Sequence, residues 1–385
     1  MKIQRLLKQI LSLVTILLSR RGIRINSNII DIKNYTKIEA TPAEVYGKSN
    51  KKQFYNPFNF GHTDFGKLIL FNINDHMKIK TVELVVQQDN NGAFVIIYYH
   101  NGKAEIYINS YLSIDKKYLK PNSDWKIMGK NDFEYSFFDT KNGIFFTLDI
   151  TVNGGQRIKI KLQENNKDTK RFSFLAPIGA DLRDVPRFPF VYLREAGFIP
   201  IKGTKLSFEI DGKNIELMRI PIKMEGKKRF KIPYSFMPLP FFLNEEQDTY
   251  VLAEKNIDSK PYKKDNATYF FIDNDGHKEI ERIIYKANGH SVSYRFSPSF
   301  PDIASLKISS KIKGSFCLDV DDIDGVICGS YSVINVNGEI SIVIQPKKCW
   351  QPMPGKDWVS KYQYHAKIIF TDDKIFRIQS KWTVE

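Results

Sequence analysis

The chain has 385 residues, of which 42% are hydrophobic, 13% aromatic and 26% charged. This length allows about two domains with real cores, and this composition excludes a disordered or fibrous chain. The formal net charge is +15, but the basic residues are spread along the whole sequence, so no specific nucleic-acid partner is predicted. Recruitment to a polyanion by charge alone stays open.

The first 24 residues, "MKIQRLLKQILSLVTILLSRRGIR", predict an amphipathic helix. Lys8, Ser12, Thr15 and Ser19 recur at steps of three or four, which gives a narrow polar stripe on an otherwise apolar surface. The apolar stretch is too short to span a bilayer. Such a helix suits an anionic membrane interface and suits equally a position across the end of a β-barrel, with an uncleaved export signal as a third alternative.

Turn signals predict an all-β fold for the rest of the chain, because Asn-Gly and Asp-Gly favour tight hairpins. These dipeptides begin at positions 91, 101, 142, 153, 211, 275, 288, 324 and 337. The segment "AFVIIYYH" is apolar on both faces and predicts a central strand that is covered on both sides or lines an apolar cavity. Residues 362–370 alternate instead, which predicts a strand with one packed and one wet face.

A domain boundary is predicted near residue 240, since Pro233, Pro238 and Pro240 exclude a regular central strand. Asn244 can then cap a short helix that ends near Lys255. The predicted fold is two antiparallel lipocalin-like barrels or sandwiches in tandem, with an N-terminal amphipathic helix. The predicted parts are a helix at 1–24, a first β-barrel-like domain at 25–240, a linker at 241–262 and a second β-barrel-like domain at 263–385.

The acidic segment "DVDDIDGVICG" does not match a helical calcium loop. With Gly325 at the sixth position, the twelfth is Tyr331 instead of the required bidentate Glu. The flanking β-rich runs and the Asp-Gly dipeptide favour a solvated hairpin tip, and a calcium site between loops stays open.

The chain has three cysteines, which is too few for a disulfide framework. If Asp324 and Gly325 centre the hairpin, Cys317 lies opposite Ser332 and far out of register with Cys328. Both thiols are therefore predicted to stay free, which is typical of a reducing compartment.

No cofactor motif, metal-ligand spacing or nucleophile motif occurs, so neither a cofactor nor a metal is predicted. His62 and Asp64 in "NPFNFGHTDFGK" would form an acid/base pair if they lined a cavity, with His100 as a third catalytic candidate. The alternative is that this segment is only a turn that leads into the first strand. Whether the chain is an enzyme stays open.

Two loops carry candidate ligand-binding residues. Arg183 and Arg187 lie in "APIGADLRDVPRFPF" and could bind a carboxylate or phosphate, although alternating charges also suit an ion-paired connection. Trp350 and Trp358 lie in "KKCWQPMPGKDW" and suit an aromatic lid, a glycan-stacking platform or bulky closure of one barrel end.

The layout resembles the carotenoid hydratase and AttH-like group. The resemblance covers the residues after about 55, with "FGHTDFG" and "FLAPIGADLRD" in a first β-rich half and "GSYSVINVNGEISIVIQPKKCWQP" in a second. It implies two lipocalin-type barrels joined by a linker and an apolar ligand in a barrel lumen. Some members of this group have hydratase, cyclase or isomerase activity, so the resemblance also implies such chemistry for this chain.

The functional expectation is a membrane-surface protein that binds an apolar, lipid- or isoprenoid-like ligand in a β-barrel. The alternative is a non-catalytic β-sandwich binding or accessory module for a glycan or protein. The expected partners are an apolar small molecule and an anionic membrane surface, without a specific nucleic acid, and the oligomeric state stays open. The expected location is cytoplasmic or peripheral to a membrane, with export by an uncleaved signal as the alternative.

Overall fold

The structure is a computed structural model, and it contains almost entirely β-structure. It describes residues 39–48, 53–62, 65–87, 92–109, 124–130, 133–165, 171–177, 189–221, 223, 226–243, 254–255, 261–320, 326–349, 362–370 and 376–384. Within these ranges the helical turns are 3-10 turns at Ala43–Val45 and Ile303–Ser305. The all-β prediction is confirmed, and the predicted helix at 1–24 lies outside the described residues.

Twenty-five strands follow one another in the described part of the chain. The first nine are β1 (Gln53–Phe54), β2 (Phe60–His62), β3 (Phe65–Asn72), β4 (Ile79–Gln87), β5 (Ala93–Tyr99), β6 (Ala104–Ile108), β7 (Trp125–Lys130), β8 (Glu134–Thr140) and β9 (Gly143–Thr151). The next eight are β10 (Arg157–Glu164), β11 (Phe172–Pro177), β12 (Pro189–Pro200), β13 (Thr204–Ile210), β14 (Lys213–Asn214), β15 (Arg229–Leu243), β16 (Glu254–Lys255) and β17 (Tyr262–Lys264). The last eight are β18 (Ala267–Asn274), β19 (His277–Ala287), β20 (His290–Phe300), β21 (Lys311–Val320), β22 (Ile327–Val336), β23 (Glu339–Cys349), β24 (Tyr362–Phe370) and β25 (Phe376–Val384).

These strands form four open sheets. Their orders are β1-β16, β14-β13-β10-β9-β8, β11-β12-β15-β3-β4-β5-β6-β7 with β2 beside β15, and β17 to β25 in sequence. None of these sheets closes into a barrel among the described residues, so the barrel alternative of the prediction is not borne out there. The pair β6 and β7 is parallel, unlike the antiparallel pairing predicted throughout.

The chain divides into two compact units. Unit 1 contains the described residues of Asp64–Ser173 and Leu193–Pro238. Unit 2 contains the described residues of Asn26–Thr63, Phe174–Tyr192 and Leu239–Glu385.

Unit 1 is a sandwich of two sheets. Phe71 on β3 lies 4.9 Å from the ring of Phe146 on β9 and 6.0 Å from that of Phe208 on β13. One core joins these rings to inward-facing aliphatic side chains of both sheets. Burial of apolar area at about 25 cal/mol per Å² stabilises this packing.

Unit 2 is built on one up-and-down sheet that curls around its own core. Buried side chains from every strand between β18 and β25 belong to that core. Phe296 on β20 lies 5.6 Å from Tyr331 on β22, although β21 separates these two strands in the sheet. Gly314 makes room for this packing, since a Cβ atom there would lie 2.4 Å from the Tyr331 ring.

The hairpin signals are confirmed at four of the predicted positions. Asp211, Asp275, Asn288 and Asn337 have positive φ angles, and so do the glycines that follow them. Two adjacent residues with positive φ are the requirement of a type I′ turn. The prediction for "AFVIIYYH" is also confirmed, because β5 lies between β4 and β6 and is buried on both faces.

The prediction that the prolines near residue 240 exclude a regular central strand is wrong. Pro233, Pro238 and Pro240 all lie within β15. The strand pairs with β3 at Tyr234 and Ser235 and with β2 at residues 241–243, so these pairs use residues that carry an N–H group.

The prediction of free thiols at positions 317 and 328 is also wrong. Cys317 and Cys328 lie directly opposite each other on β21 and β22 and form a disulfide, with Cα atoms 4.2 Å apart. The hairpin therefore centres two residues earlier than the Asp324–Gly325 dipeptide predicts. The disulfide removes the cysteine argument for a reducing compartment.

Candidate functional site

A polar pocket lies at one end of the curled sheet of unit 2. Its volume is about 450 Å³. The lining residues are His62, Asn266, Lys286, Ala287, Asn288, Gly289, His290 and Ser291. Two imidazoles, two carboxamides and one hydroxyl in a single pocket offer both donors and acceptors of hydrogen bonds.

Two tight turns form most of this pocket. Asn288 and Gly289 have φ angles of 49° and 77° and reverse the chain between β19 and β20, so that Ala287 faces His290. The turn between β17 and β18 lies next to it, because the Lys286 N–H donates to the carbonyl of Asn266 over 2.9 Å. The backbone of these two turns therefore fixes the position of the pocket rim. The side chains of the rim take no part in that.

The third part of the pocket is the end of β2, which carries His62. The Nδ1 atom of His62 lies 2.6 Å from the hydroxyl of Tyr285. Phe60 stacks on Tyr285 with ring centroids 5.4 Å apart, and Tyr192 meets His290 edge-on at 5.3 Å. Each histidine of the pocket therefore contacts an aromatic ring, which limits the rotamers that its imidazole can adopt.

The two described catalytic candidates belong to different units. His62 is half-buried in the unit 2 pocket, whereas His100 is exposed in the turn between β5 and β6 of unit 1. The His100 N–H donates to the carbonyl of Lys78 over 3.0 Å, which indicates a turn-stabilising position. The prediction for Asp64 falls outside the described residues, as do those for Arg183, Arg187, Trp350 and Trp358.

Sequence reasoning missed His290, Lys286 and Asn266. It recognised the Asn288–Gly289 turn but did not consider what a type I′ turn places beside it. In such a hairpin the residues before and after the turn face each other, so His290 could have been assigned to the rim from the turn alone.

Unit 2 also contains a buried polar cluster around Glu279. Its carboxylate accepts hydrogen bonds from the Thr41 N–H at 3.2 and 2.9 Å, from the Tyr46 hydroxyl at 2.7 Å and from the Asn274 amide at 2.8 Å. The Ser299 hydroxyl donates to it as well. Burial and the neighbouring Glu279 carboxylate raise the pKa of Tyr46 far above its usual range. A carboxylate with this many donors ties residues 39–46 to the sheet and is not available to a ligand.

Asp319 of the acidic segment is buried and lies 3.6 Å from the Arg295 guanidinium. In the part of the chain that the structure describes, no three His, Cys, Asp or Glu side chains group as metal ligands. Among the same residues there is no helix of sufficient length and apolar character to cross a bilayer.

Comparison of the chain with protein-family models, with curated proteins and with solved structures finds no match.

Proposed function

We propose that this chain is a non-catalytic binding protein and that the polar pocket of unit 2 binds a sugar unit of a glycan. The observation that carries the proposal is the lining of the pocket, where His62, Asn266, His290 and Ser291 meet in about 450 Å³. Sugar hydroxyls donate and accept hydrogen bonds, as imidazoles, carboxamides and serine hydroxyls do. Pockets that orient a ligand combine a few such groups with apolar walls.

Aromatic rings next to the pocket position its two histidines. Tyr192 and Tyr285 contact the two pocket histidines, and Phe60 stacks on Tyr285. Tyr192 and Tyr285 are buried and lie outside the pocket lining, so they hold the two imidazoles in place and do not themselves contact a ligand.

The test is saturation-transfer-difference NMR with glucose, galactose, mannose and N-acetylglucosamine as probes. We expect at least one of these sugars to bind, and we expect the double variant His62→Ala, His290→Ala to weaken that binding about tenfold or more, since each lost hydrogen bond costs about 0.5–1.5 kcal/mol. His365→Ala on β24 is the matched control, because this half-buried histidine bonds to Gln363 away from the pocket lining. Failure of all four sugars to bind at about 10 mM, or equal binding by the double variant, would contradict the proposal.

The second candidate is the apolar ligand that the resemblance to the carotenoid hydratase and AttH-like group implies. The up-and-down order from β17 to β25 supports a lipocalin-like reading of unit 2. The interior of the curled sheet contains the buried rings of Tyr294, Tyr331 and Tyr364. The pocket at the end of the sheet is therefore the better-supported site. Organic extraction of purified protein followed by mass spectrometry tests this candidate, and a stoichiometric apolar molecule would favour it over the glycan. Association with a membrane surface belongs to this second candidate, and a cytoplasmic location of the chain is a separate proposal.

A further inference from the structure

One end of the curled sheet of unit 2 exposes three aliphatic side chains. Ile308, Val336 and Ile369 are 63%, 54% and 48% exposed, and they are the exposed large hydrophobic residues among those described in unit 2. Val336 and Ile369 lie in one cross-strand row over β22, β23 and β24. The loop that carries Ile308 lies next to this row, since the Ser309 N–H donates to the carbonyl of Asn335 over 2.8 Å. Single exposed apolar residues are ordinary, but three at one place form a patch.

Basic residues share the side of the sheet on which this aliphatic patch lies. Cross-strand pairs connect them to the rows of β22 that contain Ser332, Ile334 and Val336, and directly paired residues project to the same side. This side faces away from the core of unit 2, because each basic residue is exposed between buried neighbours of its strand. The residues are Lys311 and Lys313 on β21, Lys367 on β24, and Arg377 and Lys381 on β25.

The acidic residues of the same strands do not offset this charge. The described strands β21 to β25 carry two, Asp319 and Glu339. Glu339 lies 3.1 Å from the ammonium of Lys367, and Asp319 lies 3.6 Å from Arg295 at the other end of the sheet. The connection from β24 to β25 lies outside the described residues and adds two aspartates and one lysine by sequence. An excess of positive charge around the patch therefore remains.

The composition of this surface favours a lipid partner over a protein or a nucleic acid. Lysine is depleted at protein–protein contacts, whose energetic centres use Trp, Tyr and Arg instead. Platforms for single-stranded nucleic acids stack bases on exposed aromatic rings, whereas the exposed large side chains here are aliphatic. Aliphatic side chains can enter the apolar layer of a bilayer while the long lysine side chains keep their ammonium groups at the headgroups.

We propose that this end of unit 2 docks on an anionic membrane surface. Ile308, Val336 and Ile369 enter the interface, and the surrounding lysines bind lipid phosphates and carboxylates. The site is separate from residues 1–24, and it does not depend on the class of ligand that the polar pocket takes.

The docking surface and the polar pocket lie at opposite ends of the sheet. The pocket turn at residues 288–289 precedes the first residue of β20, and the patch adjoins the turn at residues 337–338, which follows the last residue of β22. Strands β20 and β22 run in the same direction, because each is antiparallel to β21. A membrane bound at the patch therefore leaves the pocket open to the aqueous side.

Vesicle flotation of the full chain tests the charge requirement. We expect the chain to float with phosphatidylcholine vesicles that contain about 30% phosphatidylserine and not with phosphatidylcholine alone. The variant Lys311→Glu, Lys313→Glu, Lys381→Glu should bind the anionic vesicles at least about tenfold more weakly. Because these side chains are exposed, its urea midpoint should match that of the natural chain. No flotation of the natural chain, or undiminished binding by the variant, would overturn the proposal.

The matched control makes the same change in net charge on the five-stranded sheet of unit 1. Lys161→Glu, Lys205→Glu, Lys213→Glu replaces three exposed lysines there and should bind vesicles within about twofold of the natural chain, since salt screens charges beyond about 8 Å. The pocket variant His62→Ala, His290→Ala should also bind normally. An equal loss in the unit 1 variant would assign the attraction to net charge alone and overturn the proposal.

The aliphatic side chains distinguish a membrane from other polyanions. Ile308→Ser, Val336→Ser, Ile369→Ser should weaken vesicle binding at least about tenfold, because it removes apolar area that the bilayer buries, and it should leave retention on heparin unchanged. Undiminished vesicle binding by this variant would show a surface that attracts any polyanion, which contradicts a membrane site.

A fluorophore at position 336 reports the orientation directly. In a Cys349→Ser background the disulfide holds the other two cysteines, so Val336→Cys can be labelled with nitrobenzoxadiazole. We expect its emission to shift to the blue and to rise about twofold or more on anionic vesicles, whereas the same label at Lys286→Cys on the pocket rim should not respond. Equal responses at both positions, or flotation that requires residues 1–24 without a response at position 336, would exclude docking through this patch.

Discussion

The two sheets of unit 1 pack on each other but differ in what they present on their other side. Along β10 exposed and buried residues alternate without exception, so one face of the five-stranded sheet is wet. Along β5 six consecutive residues are buried. The contrast shows that the hydrophobic pattern of a strand reports the number of covered faces, and that the pattern of β5 demands a layer which the sandwich itself does not supply.

The largest expected effect comes from one charge placed on the outer side of each sheet. Ile96→Asp puts a carboxylate on a buried face directly across from Glu83, whereas Thr147→Asp puts it on the wet face across from Lys161. We expect the first variant to lose about 4 kcal/mol or more of unfolding free energy and the second to change by less than about 0.5 kcal/mol. Urea unfolding followed by circular dichroism measures both. Similar midpoints for the two variants would remove the distinction between the sheets.

A smaller effect concerns Glu83, which is buried on the side of β4 that faces away from the sandwich core. Burial raises the pKa of Glu83 to about 7, while the hydrogen bond from Tyr98 opposes the shift. Because the folded state holds the proton more tightly, this contribution to stability is complete below the unfolded pKa near 4.5 and is lost as the pH rises through about 7. Glu83→Gln should remove this loss of stability at high pH. The difference in unfolding free energy between the variant and the natural chain should therefore grow by on the order of 3 kcal/mol between pH 4.5 and 8, in favour of the variant.

Unfolding midpoints at several pH values measure that difference. Tyr98→Phe sharpens the experiment, since removal of the hydroxyl bond should raise the pKa of Glu83 further and move the loss of stability to higher pH. Parallel pH profiles for the natural chain and Glu83→Gln would show that the Glu83 carboxyl is hydrated in the folded chain and not buried.

The smallest expected effect lies on the wet face of the five-stranded sheet. The hydrogen bond from Arg157 lowers the pKa of Asp149, and the two side chains lie 2.8 Å apart at a solvent-exposed position. Asp149→Asn should hardly change the unfolding midpoint at neutral pH, because exposed ion pairs contribute little. Any difference in unfolding midpoint between Asp149→Asn and the natural chain should vanish in acid, because the natural carboxylate is then protonated. A large loss of stability would indicate that this face is covered too.

Local patterns predicted the strands but not their partners. The alternation in 362–370 and the continuous run in β5 are both borne out, because each depends only on residues that are neighbours in sequence. The register of Cys317 with Cys328 depends on how many residues the turn uses, and one Asp-Gly dipeptide does not determine that number. The course of β15 through three prolines depends on which of its residues face a partner strand.

The candidate site was predicted only in part for the same reason. His62 was selected from its local sequence, and the structure places it in the pocket. The other half of the pocket, with His290, comes from a turn more than 220 residues later in the chain, since His62 and Tyr285 alone are 223 residues apart. Such long-range pairings arise from packing of the whole unit and leave no trace in the local sequence.

The bonds between Thr41 and Glu279 have a consequence for synthesis on the ribosome. The donor leaves the ribosome 238 residues before its acceptor, which is roughly 10 to 50 s at about 5–20 residues per second. During that interval residues 39–46 have no carboxylate to bind, and unit 1 has time to fold first. A fragment that starts at β17 would likewise expose Glu279 without two of its donors, so the C-terminal sheet should require the early segment to be supplied in trans.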